Sequence, residues 1–274
     1  MSQAMELSLL GVGLVAPGLP SWDEAQPVLR GELAYASAPS VVPPPQRLPA
    51  AERRRAGAAV KVALSVADAA CTAAGRDPAT LATVFTSSSG DGANCHALCE
   101  TLAHAPGPDR LVSPTRFTNS VHNAAAGYWH IAVGSRHAST SVCAHDDSLA
   151  AGLMAALAQL PAQDAPVLLV ASDTPYPEPL HATRPLPDTM GVGLVLAAAG
   201  EAGARARLRV RLLPLAEAGA ATPCRDAALE NLRGRIPAAR ALPLLEAIAC
   251  RQPARVVLPA SPQLALAIEL EFAR

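Results

Sequence analysis

Aromatic residues are scarce: Phe, Trp and Tyr together make up 3% of the 274 residues, although 50% of the chain is hydrophobic. The interior must therefore be built from Ala, Val and Leu, whose small side chains let backbones approach closely and suit helices layered on a sheet. Basic clusters are missing as well. The 22 Lys and Arg residues are scattered and the formal net charge is -1, which gives no footprint for nucleic acid or an anionic membrane. No stretch reaches the roughly 18 uncharged apolar residues of a membrane-crossing helix, so no membrane span is expected. Met1 to Leu10 has neither a basic lead nor a long apolar run ahead of Gly11, and reads as neither signal peptide nor anchor. The six cysteines are sparse and lie mostly within apolar or helical patterns, so reduced thiols and a cytoplasmic location are expected.

What is present alternates. Leu7-Ser8-Leu9-Leu10 reads as a short buried strand, broken by Gly11-Val12-Gly13 and stopped by Pro17, Gly18 and Pro20. A short helix is expected over Trp22 to Arg30, then an extended loop through the five prolines of residues 37–50. Further helices are expected over Ala51 to Ala74, from Gly92 through Leu102, and over Val121 to Val133, Asp146 to Leu160 and Pro237 to Cys250. Strands are expected at Leu81 to Thr86, Ala138 to Val142, Pro166 to Ala171, Gly191 to Ala198, Leu208 to Leu213, Arg255 to Leu258 and Leu264 to Glu271. Pro166 to Ala171 carries no polar alternation, the mark of a parallel strand buried on both faces. This alternation predicts an α/β fold in one domain, with a mostly parallel sheet.

Several motifs bear on chemistry. Gly11-Val12-Gly13-Leu14-Val15-Ala16 fits the start of a dinucleotide fingerprint, but Pro17 to Pro20 stops the helix that such a site needs. Cys95, His96 and Cys99 offer metal-ligand types without a second, matching ligand pair, so ordinary buried cysteines on a helix are expected there. His145-Asp146-Asp147 could hold a metal or serve acid/base work; acids at the positive end of a helix dipole explain it more simply. Cys143 stands between a strand and a helix N-terminus, where a thiolate would be stabilised as an acyl-accepting nucleophile. No cofactor is called for by any of these.

The order of these features resembles the β-ketoacyl synthase branch of the thiolase fold. Leu9-Leu10-Gly11-Val12-Gly13-Leu14-Val15-Ala16-Pro17-Gly18 is similar to that family's first strand and turn, and Arg53-Arg54-Arg55 before an Ala-rich helix to its next element. Val84 to Gly92 resembles its strand and Ser/Gly loop. Asn123-Ala124-Ala125-Ala126-Gly127, then Ile131, Gly134, Arg136 and Ser139, resemble its helix leading into the nucleophile strand. Pro166 to Ser172 and Met190 to Ala198 resemble the two strands that finish its N-terminal half. The resemblance covers about residues 7–199, and residues 200–274 form a short C-terminal addition.

This resemblance implies a thiolase-like layered fold, with a mixed five-stranded sheet between helices. A ketosynthase holds its acyl chain on a cysteine and uses two histidines of its second half for decarboxylation. Here the last of the seven histidines is His181, so those histidines have no counterpart. Counting back eight residues from Gly152 puts the nucleophile at Ala144, composition offers Cys143, and counting forward from Ser139 gives Asp146. Within the family the chain looks most like the shortened chain-length-factor subunits of aryl-polyene and related polyketide pathways. The resemblance therefore implies a non-catalytic partner of a β-ketoacyl synthase, or of itself, serving acyl chains carried on an acyl carrier protein's phosphopantetheine arm. Asn123, Ser139, Ala144, His145 and Asp146 become candidates for the acyl site or dimer interface. Two alternatives stay open: a minimal acyltransferase using Cys143 with His145 or His122 as base, and a decayed synthase that only docks other proteins.

Overall fold

Short apolar runs and Ala-rich helical stretches assemble, in this computed structural model, into a single mixed sheet with helices packed on both faces. The structure describes residues 4–104, 111–162 and 165–272. The strands are β1 (Met5–Val15), β2 (Ala82–Thr86), β3 (Ser139–Val142), β4 (Val167–Asp173), β5 (Met190–Ala198), β6 (Ala206–Pro214), β7 (Ala254–Pro259) and β8 (Leu264–Glu271). The helices are α1 (Trp22–Leu29), α2 (Ala50–Arg55), α3 (Ala58–Ala74), α4 (Gly92–His104), α5 (Pro114–Asn119), α6 (Ala124–Val133), α7 (Ser148–Gln159), α8 (Leu180–Thr183), α9 (Leu215–Ala218), α10 (Ala227–Arg235) and α11 (Leu242–Cys250).

The sheet has eight strands in the order β3-β2-β4-β5-β1-β6-β8-β7, not five. Five of them, β3-β2-β4-β5-β1, come from the portion that resembles a synthase. The other three are supplied by residues 200–274, which continue the same sheet past β1. The sheet is also less parallel than expected: only β2–β3 and β2–β4 run parallel, and every other pairing is antiparallel. A buried apolar run marks burial on both faces but not the direction of the neighbour. Thus β4, buried throughout, lies parallel to β2 and antiparallel to β5.

Gly11 and Gly13 do not break the first strand, which runs on to Val15. Their role is to let α3 lie close: a Cβ on Gly13 would stand 2.2 Å from the Val66 carbonyl oxygen, and one on Gly11 2.3 Å from that of Ala70. Gly193, opposite Gly13 in the β1–β5 register, meets the same Val66 carbonyl at 2.5 Å. The glycines therefore form a trough that seats the helix, which suits a core short of bulky aromatics.

Two helices expected to be continuous are divided. Residues 51–74 split into α2 and α3 because Ala56 is extended and Gly57 caps α3, with Asp91 packed where a side chain at Gly57 would go. The Arg55 carbonyl, freed at the end of α2, accepts from the Asn119 side chain at 3.0 Å. Likewise, residues 237–241 form a tight 3₁₀ turn before α11, and that turn aims the Ala238 N–H at Asp173. The helix expected from Val121 begins only at Ala124, while α5 and α10 were not anticipated.

Candidate active-site turn

The chain between β3 and α7 turns through Cys143, Ala144 and a 3₁₀ segment, His145–Asp147. Ser148, the first residue of α7, ties the turn down. Its hydroxyl accepts from the Ala144 N–H at 3.0 Å and lies within donating distance of the carbonyls of His145 (2.7 Å) and Ser87 (3.0 Å). Four residues on, Gly152 lets α7 press onto the sheet, since a Cβ there would meet Thr86 Cγ2 at 2.8 Å and Leu169 Cδ1 at 2.9 Å. Gly152 is thus a fixed anchor for counting back to the turn.

Cys143 is exposed, and its Sγ lies 3.5 Å from His122 Nδ1. Desolvation by the surrounding protein pushes its thiol above the ordinary range; contacts with Ser87 oppose this and the Asp173 carboxylate adds to it. The environment therefore does not favour the thiolate, contrary to the stabilisation expected from a helix N-terminus. His145 does not face the thiol. It adopts a left-handed backbone (φ 52) and its ring contacts the Arg184 guanidinium, leaving His122 as the imidazole beside Cys143.

Asp146 and Asp147 act as ion-pair partners rather than serving only the helix dipole. Arg184 Nη2 donates to Asp146 at 2.6 Å, Arg240 approaches Asp146 at 3.6 Å, and Arg240 Nη1 donates to Asp147. These arginines tie the turn to the segment after β4 and to the 3₁₀ turn of the C-terminal addition. Nothing in the local sequence near Asp146 foretold partners so far along the chain.

The two remaining candidates lie nearby along the chain. Asn123 is exposed ahead of α6, its side chain making no capping bond, while its carbonyl accepts from the Gly127 N–H at 2.9 Å. Ser139, at the start of edge strand β3, accepts from the Thr83 hydroxyl at 2.8 Å, and Thr83 also meets His130 Nε2 at 2.9 Å. Beside His122 is a cavity of about 50 Å³, whose lining includes Val60, Phe85, Val121 and Ala125. That is room for a water or two and not for an extended acyl chain. The outer side of β3 is unpaired among the described residues; α6, which packs on β3, exposes Ile131, and Val121 is exposed next to His122.

Asp173, at the end of β4, was not singled out in the sequence, yet it clamps this region. It is 5% exposed and accepts from the Ser88 N–H and the Ala238 N–H, both at 2.8 Å. Burial raises its carboxyl above the ordinary range, while those two donors and Arg184 pull it down. A raised folded value means that the native chain binds this proton more tightly than the unfolded chain. The charged carboxylate therefore opposes folding above its folded pKa, and that penalty is relieved as pH falls through it toward the ordinary value of 3.8. Asp173→Ala would still be destabilising at pH 7, by about 2 kcal/mol, because two buried N–H groups lose their acceptor. Thermal unfolding should show this deficit widening as pH falls toward 3.8, since only the wild type gains the proton.

Cys95 and Cys99, expected to be buried, are exposed on α4. Among the described residues, no three His, Cys, Asp or Glu side chains gather as metal ligands, and no helix is long and apolar enough to cross a membrane.

Comparison with known proteins places this geometry. Structures similar to the chain include the ketosynthase ApeO in complex with its chain length factor ApeC from Xenorhabdus doucetiae, at TM-score 0.72 and 21% identity over 97% of this chain and 99% of that one. The ishigamide ketosynthase/chain length factor matches at TM-score 0.72 and 16% identity, over 98% and 99%. A type II polyketide acyl-carrier protein in complex with its ketosynthase, AntDE:AntF, matches at TM-score 0.71 and 12% identity, over 99% and 100%. At these identities the likeness establishes the fold. No curated protein gives a significant sequence match. Residues 24–233 match the family described as "Beta-ketoacyl synthase, N-terminal domain", more than half of the chain, and so the chain belongs to the β-ketoacyl synthase N-terminal domain family.

Proposed function

We propose that this chain is a non-catalytic, chain-length-factor-like partner of a β-ketoacyl synthase in polyketide or fatty-acid biosynthesis of the aryl-polyene type, acting in the cytoplasm. The observation that carries the reading is Ala144. Eight residues before the packing glycine Gly152, where the family places its nucleophile, stands a methyl group that can form no thioester. Three features support it: the seven histidines end at His181, the cavity beside His122 holds only about 50 Å³, and the Cys143 thiol is pushed up rather than down. An unpaired strand edge at β3, with exposed Val121 and Ile131 nearby, suits burial against a synthase subunit. The relatives' own descriptions, ketosynthases with chain length factors and with an acyl carrier protein, agree with that assembly. Residues 1–199 and 200–274 would work as one domain, the addition closing the sheet edge at β1.

A second reading is favoured by the contact between Cys143 and His122: a minimal acyltransferase in which His122 takes the thiol proton and Cys143 accepts the acyl group. Intact-protein mass spectrometry after incubation with acyl-loaded carrier protein separates the two, using wild type and Cys143→Ala with and without a candidate synthase. The partner-subunit reading expects acyl mass on the synthase alone. An acyl adduct on wild type that Cys143→Ala lacks would replace it with the transferase.

A further inference from the structure

We infer that Cys95 and Cys99 together bind a soft monovalent metal ion, copper(I), on the outer face of α4. The two stand four residues apart on a 13-residue helix, which puts them one turn apart on the same side, and both are exposed. Burial pushes the Cys95 thiol up, and charge on Asp91 and on Cys99 adds to it, as two sulfurs within reach of each other require. Among the α4 residues only Gly92 and Asn94 are buried, so neither thiol is held in place by core packing.

Such a pair can close a disulfide or share a metal ion, and spacing decides between the two. Cβ atoms one helical turn apart are about 5–6 Å from each other. A disulfide needs them at about 3.5–4.5 Å, which this helix reaches only by distorting its backbone. An ion with metal–thiolate bonds of about 2.3 Å holds its two sulfurs roughly 4.5 Å apart, a separation that side-chain rotation alone can supply in an intact helix. The helical spacing therefore favours a bridging ion over a direct bond between the sulfurs.

The donor set then selects the ion. His96 and Glu100 face each other at 3.4 Å, and Asp91 Oδ1 accepts from the Asn94 N–H at 2.9 Å, so the nearest other donors are engaged. Among the described residues, no third His, Cys, Asp or Glu completes a cluster with the two thiols. Zinc takes three or four protein ligands, iron–sulfur clusters take four, and calcium and magnesium take oxygen. Two thiolates alone suit copper(I), a soft ion satisfied by two sulfur ligands. On binding, each thiol gives its proton to solvent and forms one bond to the metal, leaving one net negative charge on the complex. The inference concerns α4 alone and stands or falls separately from the partner-subunit reading.

Titration of the reduced full chain without oxygen, with copper(I) supplied as its bicinchoninate complex, tests it. The chain is expected to withdraw a first equivalent of copper from the chelator, and zinc(II) should not be retained through desalting. Cys95→Ser and Cys99→Ser should each weaken copper binding by more than about a hundredfold, since losing even an outer partner of a metal site costs about 10–100-fold. Both positions are exposed, so the circular dichroism of each variant should match that of wild type. The double variant Cys99→Ser with Ala97→Cys keeps the number of thiols but turns one of them to the other side of the helix, and should bind as weakly as the single variants. Copper left on the chelator by wild type, retained zinc, or wild-type affinity in either single variant or in the shifted pair would overturn the assignment. Loss of the first equivalent in Cys143→Ser would do so as well, by moving the site to Cys143 and His122.

Discussion

Leu169→Asp is expected to abolish soluble folding. Leu169 is 1% exposed in the middle of β4, with Val84 and Leu194 beside it in register and Gly152 of α7 pressed onto its side chain. Removing the leucine forfeits about 1.5–3 kcal/mol of apolar burial. Placing a carboxylate there adds several kcal/mol, because both faces of the strand are sealed. Neutralising the acid would lessen that cost but still strand a polar group among leucines and valines. The sum approaches the whole stability of a typical domain, about 5–15 kcal/mol. Leu169→Met, close to isosteric, should cost less than about 1.5 kcal/mol and stay folded. Soluble yield and circular dichroism of the two variants decide the matter: a well-folded aspartate variant would mean that β4 is not in the core.

Gly13→Val should be nearly as damaging, for a steric reason rather than an electrostatic one. The Cβ would stand 2.2 Å from the Val66 carbonyl and 2.8 Å from the Ala70 N, both backbone atoms of α3. Neither can rotate away as a side-chain tip could, so the helix must lift. Gly11, Gly191 and Gly193 press on the same helix, and a lift at one breaks contact at all four. A cost of about 3 kcal/mol or more is expected, at the upper end of overpacking. In a chain of this size that lowers the melting temperature by roughly 6–12 °C. Gly90→Ala, at an open loop position with a left-handed backbone and nothing within 4 Å of a Cβ, should cost far less. Melting curves that rank the two in the opposite order would refute the trough account of α3 packing.

Which parts of this were legible beforehand follows from the range of the forces involved. Strands and helices were readable where pattern and caps are local: Gly75 and Gly134 end α3 and α6 in the left-handed conformation, and the unbroken Val/Leu run of β4 is buried throughout. Direction and pairing were not, because β4 carries the same residues whether its neighbour runs with it or against it. Gly11 and Gly13 were misread as a break, since a glycine that admits a helix and one that ends a strand look alike in sequence. α10 was overlooked because little about it is apolar, although Asp226 caps it by accepting from Ala228 and Leu229 N–H groups.

At the candidate site, the chain order placed Cys143, Ala144, His145 and Asp146 on one turn, and the missing late histidines argued against a complete synthase. Only the tertiary structure chose between His122 and His145 as the neighbour of the thiol. It alone brought Arg184 and Arg240 onto the two aspartates and buried Asp173 between Ser88 and Ala238. Sequence by itself determined the family and the layered α/β class, because these rest on residue identity and on spacing along one chain, and it left Cys143, Ala144 and Asp146 as answers for the nucleophile position. The eight-stranded order, the glycine trough and the arginine pairs of the turn were decided by folding, because each depends on contacts between segments far apart along the chain, which no local pattern encodes.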